Sequence, residues 1–121
     1  MNADVVAVVS ADSPIVTLSK TQVICIFLGK KTRFPDGSAA VPIDQTEGSA
    51  ARDEFYTRFA AMSAAQVKAL RSRIIFTGRG QPPRIAGTPV ELKKLLLANP
   101  NAIGYLDQSL LDGSLKVVLT P

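Results

Sequence analysis

The residues best suited to chemistry are five consecutive positions in the middle of the chain, Gly48-Ser49-Ala50-Ala51-Arg52. The helical pattern that follows them predicts that a helix begins at the Gly-Ser step. The first turn of a helix carries backbone N–H groups without partners and the positive end of the helix dipole. Ser49 adds a hydroxyl, Ala50 lets a ligand approach the backbone, and Arg52 adds a guanidinium suited to an anion with two oxygen atoms. The segment therefore predicts an oxyanion site.

An ordinary capped helix explains the same residues. Many helices begin with a serine whose side chain satisfies a backbone N–H group, and Arg52 would then lie on the surface. Judged from these five residues alone, both interpretations stay open.

Catalytic chemistry finds little support in the composition. The chain contains no histidine and one cysteine, which excludes Ser-His and Cys-His nucleophile pairs, imidazole metal sites and thiolate zinc clusters. Two carboxylate pairs remain. Asp44 and Glu47 fall in a predicted loop, whereas Asp53 and Glu54 are adjacent on a predicted helix and point in different directions. We therefore expect a protein that is not an enzyme and that needs no cofactor or metal.

The elements that must position this segment alternate between strand and helix patterns. Strands are predicted at Val5–Val9, Ala40–Ile43, Ala102–Leu106 and Leu115–Leu119. Helices are predicted to begin at Ser19, Ser49, Ser63 and Thr88. The order β-α-β-α-α-α-β-β predicts one α/β domain over residues 1–121, with the first strand central in its sheet.

Helix boundaries give the clearest local signals. Ser19 with Gln22, and Ser63 with Gln66, have the spacing of a capping box. Gly29 is expected to adopt the left-handed conformation that ends the first helix.

Charge and hydropathy restrict the partners. Fourteen Lys and Arg residues against ten Asp and Glu give a net charge of +4, which attracts anions without selecting among them. The aromatic residues do not interleave with the basic ones, so no nucleic-acid surface is predicted. The longest apolar stretch, Val23–Leu28, is far shorter than the ~20 residues of a membrane-spanning helix. Its Cys25 is expected to be a buried, inert thiol.

Several segments, in their order along the chain, resemble the family of phosphate-type ABC transporter substrate-binding proteins. They are Leu18–Lys30, the turn Phe34–Gly37, Pro42–Phe55, Phe76–Pro83 and Asn99–Tyr105. The resemblance implies an α/β fold, a single lobe of a type-II periplasmic binding protein with a mixed central sheet flanked by helices. It also implies a periplasmic location. No secretory leader is visible before the first predicted strand, so the residues leave two expectations open, a cytoplasmic protein or a mature one whose leader was removed. The resemblance favours the second.

The same resemblance implies a ligand site. By position, Ser49 matches the family's phosphate-binding serine, Gly48 the residue before it, and Glu47 the family's acidic residue. The implied ligand residues are Gln45, Glu47, Gly48, Ser49, Ala50 and Arg52.

Some of these positions depart from the family's pattern. Gln45 stands where the family has an arginine, and Arg52, after the Gly-Ser step, is the arginine that would replace it. Ala50 and Ala51 stand where full-length members carry a further hydroxyl.

The composition argues against one hypothesis, an enzyme that acts on a phosphorylated compound through Asp44 and Glu47. Two further functions are compatible with the sequence. In the first, the chain holds phosphate or a similar oxyanion, and a second copy of itself or a partner protein such as an inner-membrane ABC permease meets it. In the second, the lobe no longer binds anions with high affinity and serves as an adaptor in the cell envelope. Both hypotheses stay open at this stage.

Overall fold

Strands and helices alternate along the part of the chain that the structure describes. The computed structural model describes residues 4–78 and 83–120. In chain order its elements are β1 (Val5–Ser10), α1 (Lys20–Phe27), β2 (Val41–Gln45), α2 (Ala50–Ala60), α3 (Ala64–Phe76), β3 (Arg84–Ala86), α4 (Pro89–Ala98), β4 (Ala102–Asp107), a 3₁₀ turn (Gln108–Leu110) and β5 (Leu115–Leu119). Every predicted strand and helix is present. Residues 79–82, in the segment Phe76–Pro83 of the resemblance, lie outside the described residues.

The five strands of this region form one mixed sheet in the order β3-β2-β4-β1-β5. β2 is parallel to β3 and β4, and β1 is antiparallel to β4 and β5. The mixed α/β architecture confirms the predicted fold class. The prediction that the first strand is central is wrong by one position, because β4 is the middle strand and β1 lies beside it.

Helices cover both faces of the sheet. Side chains of β1 point alternately to the two faces, and all six residues of β1 are buried. On one face α1, α2 and α3 contribute to a core that includes Val5, Ala7, Val9, Val23, Phe27, Phe55, Phe59, Val67 and Tyr105. On the other face α4 contributes to a core that includes Val6, Val8, Ile43, Ala86, Leu92 and Leu96. A strand buried on both faces explains the continuous apolar run in the sequence.

The helix boundaries confirm the local signals. Ser19 accepts a hydrogen bond from the Gln22 backbone N–H, and the Gln22 side chain accepts one from the Ser19 N–H. Ser63 and Gln66 make the same reciprocal pair. Gly29 has φ 82°, the left-handed conformation expected after α1. Capping is a local interaction, which is why the sequence pattern identifies it.

The structure contains one strand that the sequence analysis missed, and it corrects one prediction. β3 was not predicted because it is a three-residue edge strand with only Ala86 buried. It pairs with the end of β2, where Asp44 is opposite Ile85 and Gln45 is opposite Ala86. Asp44 and Gln45 therefore lie in a strand and not in the predicted loop.

The single cysteine also differs from its prediction. Cys25 is half-buried in α1 and not fully enclosed, because the buried face of that helix is occupied by Val23, Ile26 and Phe27.

The contact between β4 and α4 yields a first prediction. A Cβ placed on Gly104 would lie 2.8 Å from Leu92 Cδ1, and Leu92 is completely buried. Replacing Gly104 by alanine should therefore lower the free energy of unfolding by about 1–3 kcal/mol through overpacking. Chemical denaturation measures the change. Gly113→Ala is the matched control, since a Cβ there meets no atom within 4 Å; equal stability of the two variants would contradict the packing.

Candidate functional site

The segment predicted to bind an oxyanion connects the carboxyl end of β2 to the start of α2. Ser49 N–H donates to the Thr46 carbonyl at 3.1 Å, which closes the turn. Gly48 has φ 91°, a left-handed conformation that side chains disfavour. In open α/β sheets, ligands bind outside the carboxyl ends of the strands. The turn is therefore in a region of the fold where ligand sites are common.

The first turn of α2 has features of both interpretations of the sequence, the ordinary capped helix and the oxyanion site. Ser49 is the helix cap, because its Oγ accepts the Arg52 backbone N–H at 3.1 Å. A hydroxyl that accepts one hydrogen bond still carries its own hydrogen as a donor. The N–H groups of Ala50 and Ala51 follow the cap, at positions where a helix has no internal acceptor for them. The structure thus places three donor groups within one turn.

Arg52 folds back from α2 toward the end of β2. Its Nη1 donates to the Gln45 carbonyl oxygen at 3.1 Å. Its guanidinium carbon lies 5.8 Å from the ring centroid of Tyr56, one helical turn further along, within the range of a cation–π contact. The side chain is half-buried. Two contacts therefore fix the direction of this guanidinium.

Gln45 and Glu47 are placed differently. The Gln45 side-chain amide donates to the Tyr105 carbonyl oxygen at 2.7 Å, so it ties β2 to β4. Glu47 is exposed in the turn. A carboxylate repels an anion, so Glu47 is the least suited of the predicted ligand residues. Of those residues, the structure brings Gly48, Ser49, Ala50 and Arg52 together, while Gln45 supports Arg52 through its backbone.

A buried polar cluster that sequence reasoning missed lies at the base of this segment. We call Asp44, Tyr56, Arg71 and Tyr105 the Asp44 cluster. Asp44 is 0% exposed. Its Oδ2 accepts the Tyr56 hydroxyl at 2.6 Å and pairs with Arg71 Nη2 at 2.9 Å. Its Oδ1 accepts the Tyr105 hydroxyl and, at 2.8 Å, the Gln45 N–H. Both oxygen atoms of the carboxylate thus have all their hydrogen-bond partners within the protein.

Arg71 completes the cluster from α3. Its Nη2 also donates to the Phe27 carbonyl oxygen at 3.1 Å and to the Tyr56 hydroxyl. Burial acts to lower the pKa of Arg71, but the neighbouring Tyr56 and Asp44 outweigh it and leave this pKa raised. The guanidinium therefore stays charged, and it balances the carboxylate.

This geometry removes the catalytic hypothesis for Asp44 with Glu47. A general acid or base must reach its substrate, whereas Asp44 is enclosed and Glu47 is exposed in the turn. The sequence did hold one signal for the cluster. Arg71 lies four residues after the buried Val67, on the inward side of α3. An arginine at such a position requires an acidic partner in the core.

Metal and membrane features can be judged for residues 4–78 and 83–120. Within them no group of three or more acidic or cysteine side chains is arranged to hold a metal ion. None of the helices described there is both long and apolar enough to cross a bilayer.

The two tyrosines of the cluster predict an alkaline limit to stability. Burial, followed by the charge of Asp44, raises the pKa of Tyr56 and Tyr105 well above the ordinary value of about 10. Above pH ~10 the unfolded chain loses these protons while the folded chain keeps them. The free energy of unfolding should therefore be unaffected by them at lower pH and fall by up to about 1.4 kcal/mol per pH unit for each tyrosine above pH ~10.

Tyrosinate absorbance and circular dichroism test this together. The chain has two tyrosines, both in the cluster, so tyrosinate should appear only as the secondary structure is lost. Tyrosinate formation near pH 10 in a chain that is still folded would contradict the burial. The denatured chain supplies the reference titration.

No protein-family model matches the sequence, and no curated protein matches it at a significant level. Solved structures do match. A protein from Clostridium perfringens, described as a phosphate ABC transporter substrate-binding protein and solved with bound phosphate, has a TM-score of 0.74 at 21% identity. An ABC-type phosphate transport receptor from Vibrio cholerae has a TM-score of 0.73 at 17% identity. PstS from Borrelia burgdorferi has a TM-score of 0.62 at 12% identity.

The matches cover 96%, 96% and 88% of this chain but only 44%, 45% and 41% of the respective solved chains. The chain therefore spans less than half the length of these structures. Identities this low establish a common fold and not a common function. The chain has the α/β fold of a single lobe of the phosphate-type substrate-binding proteins, as the resemblance implied.

Proposed function

We propose that the chain is a solute-binding module, not an enzyme, and that it holds phosphate or a similar oxyanion at the start of α2. The observation that carries the proposal is the convergence of anion-binding groups on the first turn of α2. That turn lies in a fold shared with proteins described as phosphate-binding or phosphate transport proteins. These solved structures are binding proteins and receptors, which favours binding over catalysis.

The donors on α2 suit a tetrahedral oxyanion. The N–H groups of Ala50 and Ala51, with the Ser49 hydroxyl, point from the positive end of the helix dipole. Arg52 uses one guanidinium nitrogen on the Gln45 carbonyl. The planar fork of an arginine has five N–H donors, so others remain for an anion.

The exposure of the turn to water determines the affinity for an anion that we expect. Gly48 and Ala50 are exposed, so an anion bound there stays in contact with water and its electrostatic attraction is weakened. A second copy of the chain or a partner protein that covers the turn would strengthen it. By the likeness in fold we extend the proposal to a periplasmic location and to an inner-membrane ABC permease as partner.

Thermal unfolding against a panel of anions tests the proposal. Phosphate, sulfate, arsenate and citrate are compared at constant ionic strength. Phosphate at about 100 times its dissociation constant should add roughly 2.7 kcal/mol to the stability, a rise of several degrees in Tm for a domain of this size. Ser49→Ala and Arg52→Ala should remove the rise, because each removes a donor to the anion.

Matched variants separate binding from helix stability. Ser63→Ala removes the cap of α3, as Ser49→Ala removes that of α2, and it should keep the anion response. Arg73→Ala, at an exposed residue of α3, changes the net charge as Arg52→Ala does and should also keep it. No shift with any anion at millimolar concentration would refute the binding function.

The adaptor hypothesis has its own supporting observation. Phe76 is 92% exposed and Ile75 is 45% exposed, side by side in the last turn of α3. An open depression of about 770 Å³ is lined by other residues of α3, among them Leu70 and Ile74. Adjacent exposed apolar side chains are a candidate protein-binding surface.

If the chain is an adaptor, this surface should mediate association. Analytical ultracentrifugation should then show a stable oligomer that Phe76→Ser converts to monomer, with no response to anions in the melting experiment. Val16→Ser is the matched control, since Val16 is 72% exposed and lies outside α3. A monomeric wild-type chain, or an oligomer equally sensitive to both variants, would contradict a role for this surface in self-association.

A further inference from the structure

The Asp44 cluster is connected to Arg52 by two separate routes. The first runs through Gln45, whose N–H donates to Asp44 Oδ1 at 2.8 Å and whose carbonyl oxygen accepts Arg52 Nη1 at 3.1 Å. The second runs through Tyr56, whose hydroxyl donates to Asp44 Oδ2 at 2.6 Å and whose ring lies against the Arg52 guanidinium. Both contacts that orient Arg52 therefore belong to residues that Asp44 holds.

Tyr56 is the more constrained of the two supports. The guanidinium carbons of Arg52 and Arg71 lie 5.8 Å and 5.5 Å from the centroid of its ring. Its hydroxyl donates to Asp44 and accepts from Arg71. The ring is thus fixed at its polar end by a buried ion pair while its face supports Arg52.

Stability alone does not explain a buried ion pair at this place. Withdrawing two charges from water costs about as much as their attraction returns, and apolar side chains of similar volume are often as stable. Among the described residues, Arg71 Nε is also buried without a hydrogen-bond partner, which carries a further cost. What the pair supplies that apolar packing would not is a fixed direction for the groups around it.

We propose that Asp44 and Arg71 are positioning residues that hold the Arg52 guanidinium, through Gln45 and Tyr56, in the orientation in which it meets an oxyanion at the start of α2. The proposal rests on the anion-binding function proposed above. Neither residue touches the anion. Their effect is to reduce the conformational entropy that Arg52 would lose on binding.

Two substitutions disturb the connection in different ways. Tyr56→Phe keeps the ring and removes the hydroxyl that ties it to Asp44 and Arg71. The combined substitution Asp44→Asn with Arg71→Met removes both charges together, so that no unpaired charge remains in the core. Val67→Ala is the control, because it removes buried volume from α3 without changing a hydrogen-bonding group of the cluster.

The first readout is the nuclear magnetic resonance signal of the Arg52 Nη1–H groups, which donate to the Gln45 carbonyl oxygen, and it needs no ligand. In the wild-type chain it should be shifted and slow to exchange with water, unlike that of the exposed Arg73. In Tyr56→Phe and in the double variant it should approach the Arg73 signal, while Val67→Ala leaves it unchanged. The second readout is phosphate affinity by calorimetry, which we expect to fall about three- to tenfold in the same two variants.

The outcomes separate this inference from the function beneath it. An Arg52 signal that is unchanged in both variants overturns the positioning role, whatever the chain binds. An Arg52 signal that approaches the Arg73 signal while the phosphate affinity stays the same overturns it as well. If the Arg52 signal of the variants approaches the Arg73 signal but the wild-type chain binds no anion, the positioning of Arg52 is supported and the anion-binding function is refuted.

Discussion

A carboxylate completely removed from water is the constraint on which the rest of this structure depends. A buried charge is tolerated only when it is paired and fully hydrogen-bonded, and the partners of Asp44 come from three other elements. Tyr56 lies on α2, Arg71 on α3 and Tyr105 on β4. Because hydrogen bonds act over short distances and in fixed directions, none of these elements can move relative to β2 without exposing an unsatisfied group. The position of α2, and of the turn before it, follows from that requirement.

The surroundings of the cluster strengthen its bonds. Phe55 stacks on Tyr105 with ring centroids 4.0 Å apart, and Phe27 contacts both rings from the side. Aromatic side chains exclude water and lower the local dielectric, which makes each hydrogen bond stronger and each missing one more costly. A polar centre within an aromatic shell accepts few alternative arrangements. The shell therefore specifies one orientation for Tyr56, and through it one orientation for the side chain that leads into the candidate site.

Local interactions explain which features the sequence predicted. The caps at Ser19 and Ser63 and the strand of valines at β1 depend on neighbours within a few residues, so their patterns are visible in the chain. β3 and the buried state of Asp44 depend on contacts with distant residues. β3 pairs with β2, where Ile85 lies opposite Asp44, and the Asp44 carboxylate is paired with Arg71 and Tyr105. A single sequence shows neither partner. The oxyanion site at Gly48 and Ser49 remains a prediction, because its geometry is also that of an ordinary helix start.

The register of β1 has a consequence for how the chain is made. Val5 pairs with Asp107 and Ala7 with Leu119, so β1 finds its partners only after β4 and β5 have been synthesised. Until then an apolar, β-branched segment with two unpaired edges is exposed, which is the composition of an aggregation-prone sequence. The strand that anchors the finished sheet is therefore prone to aggregation before the sheet has formed.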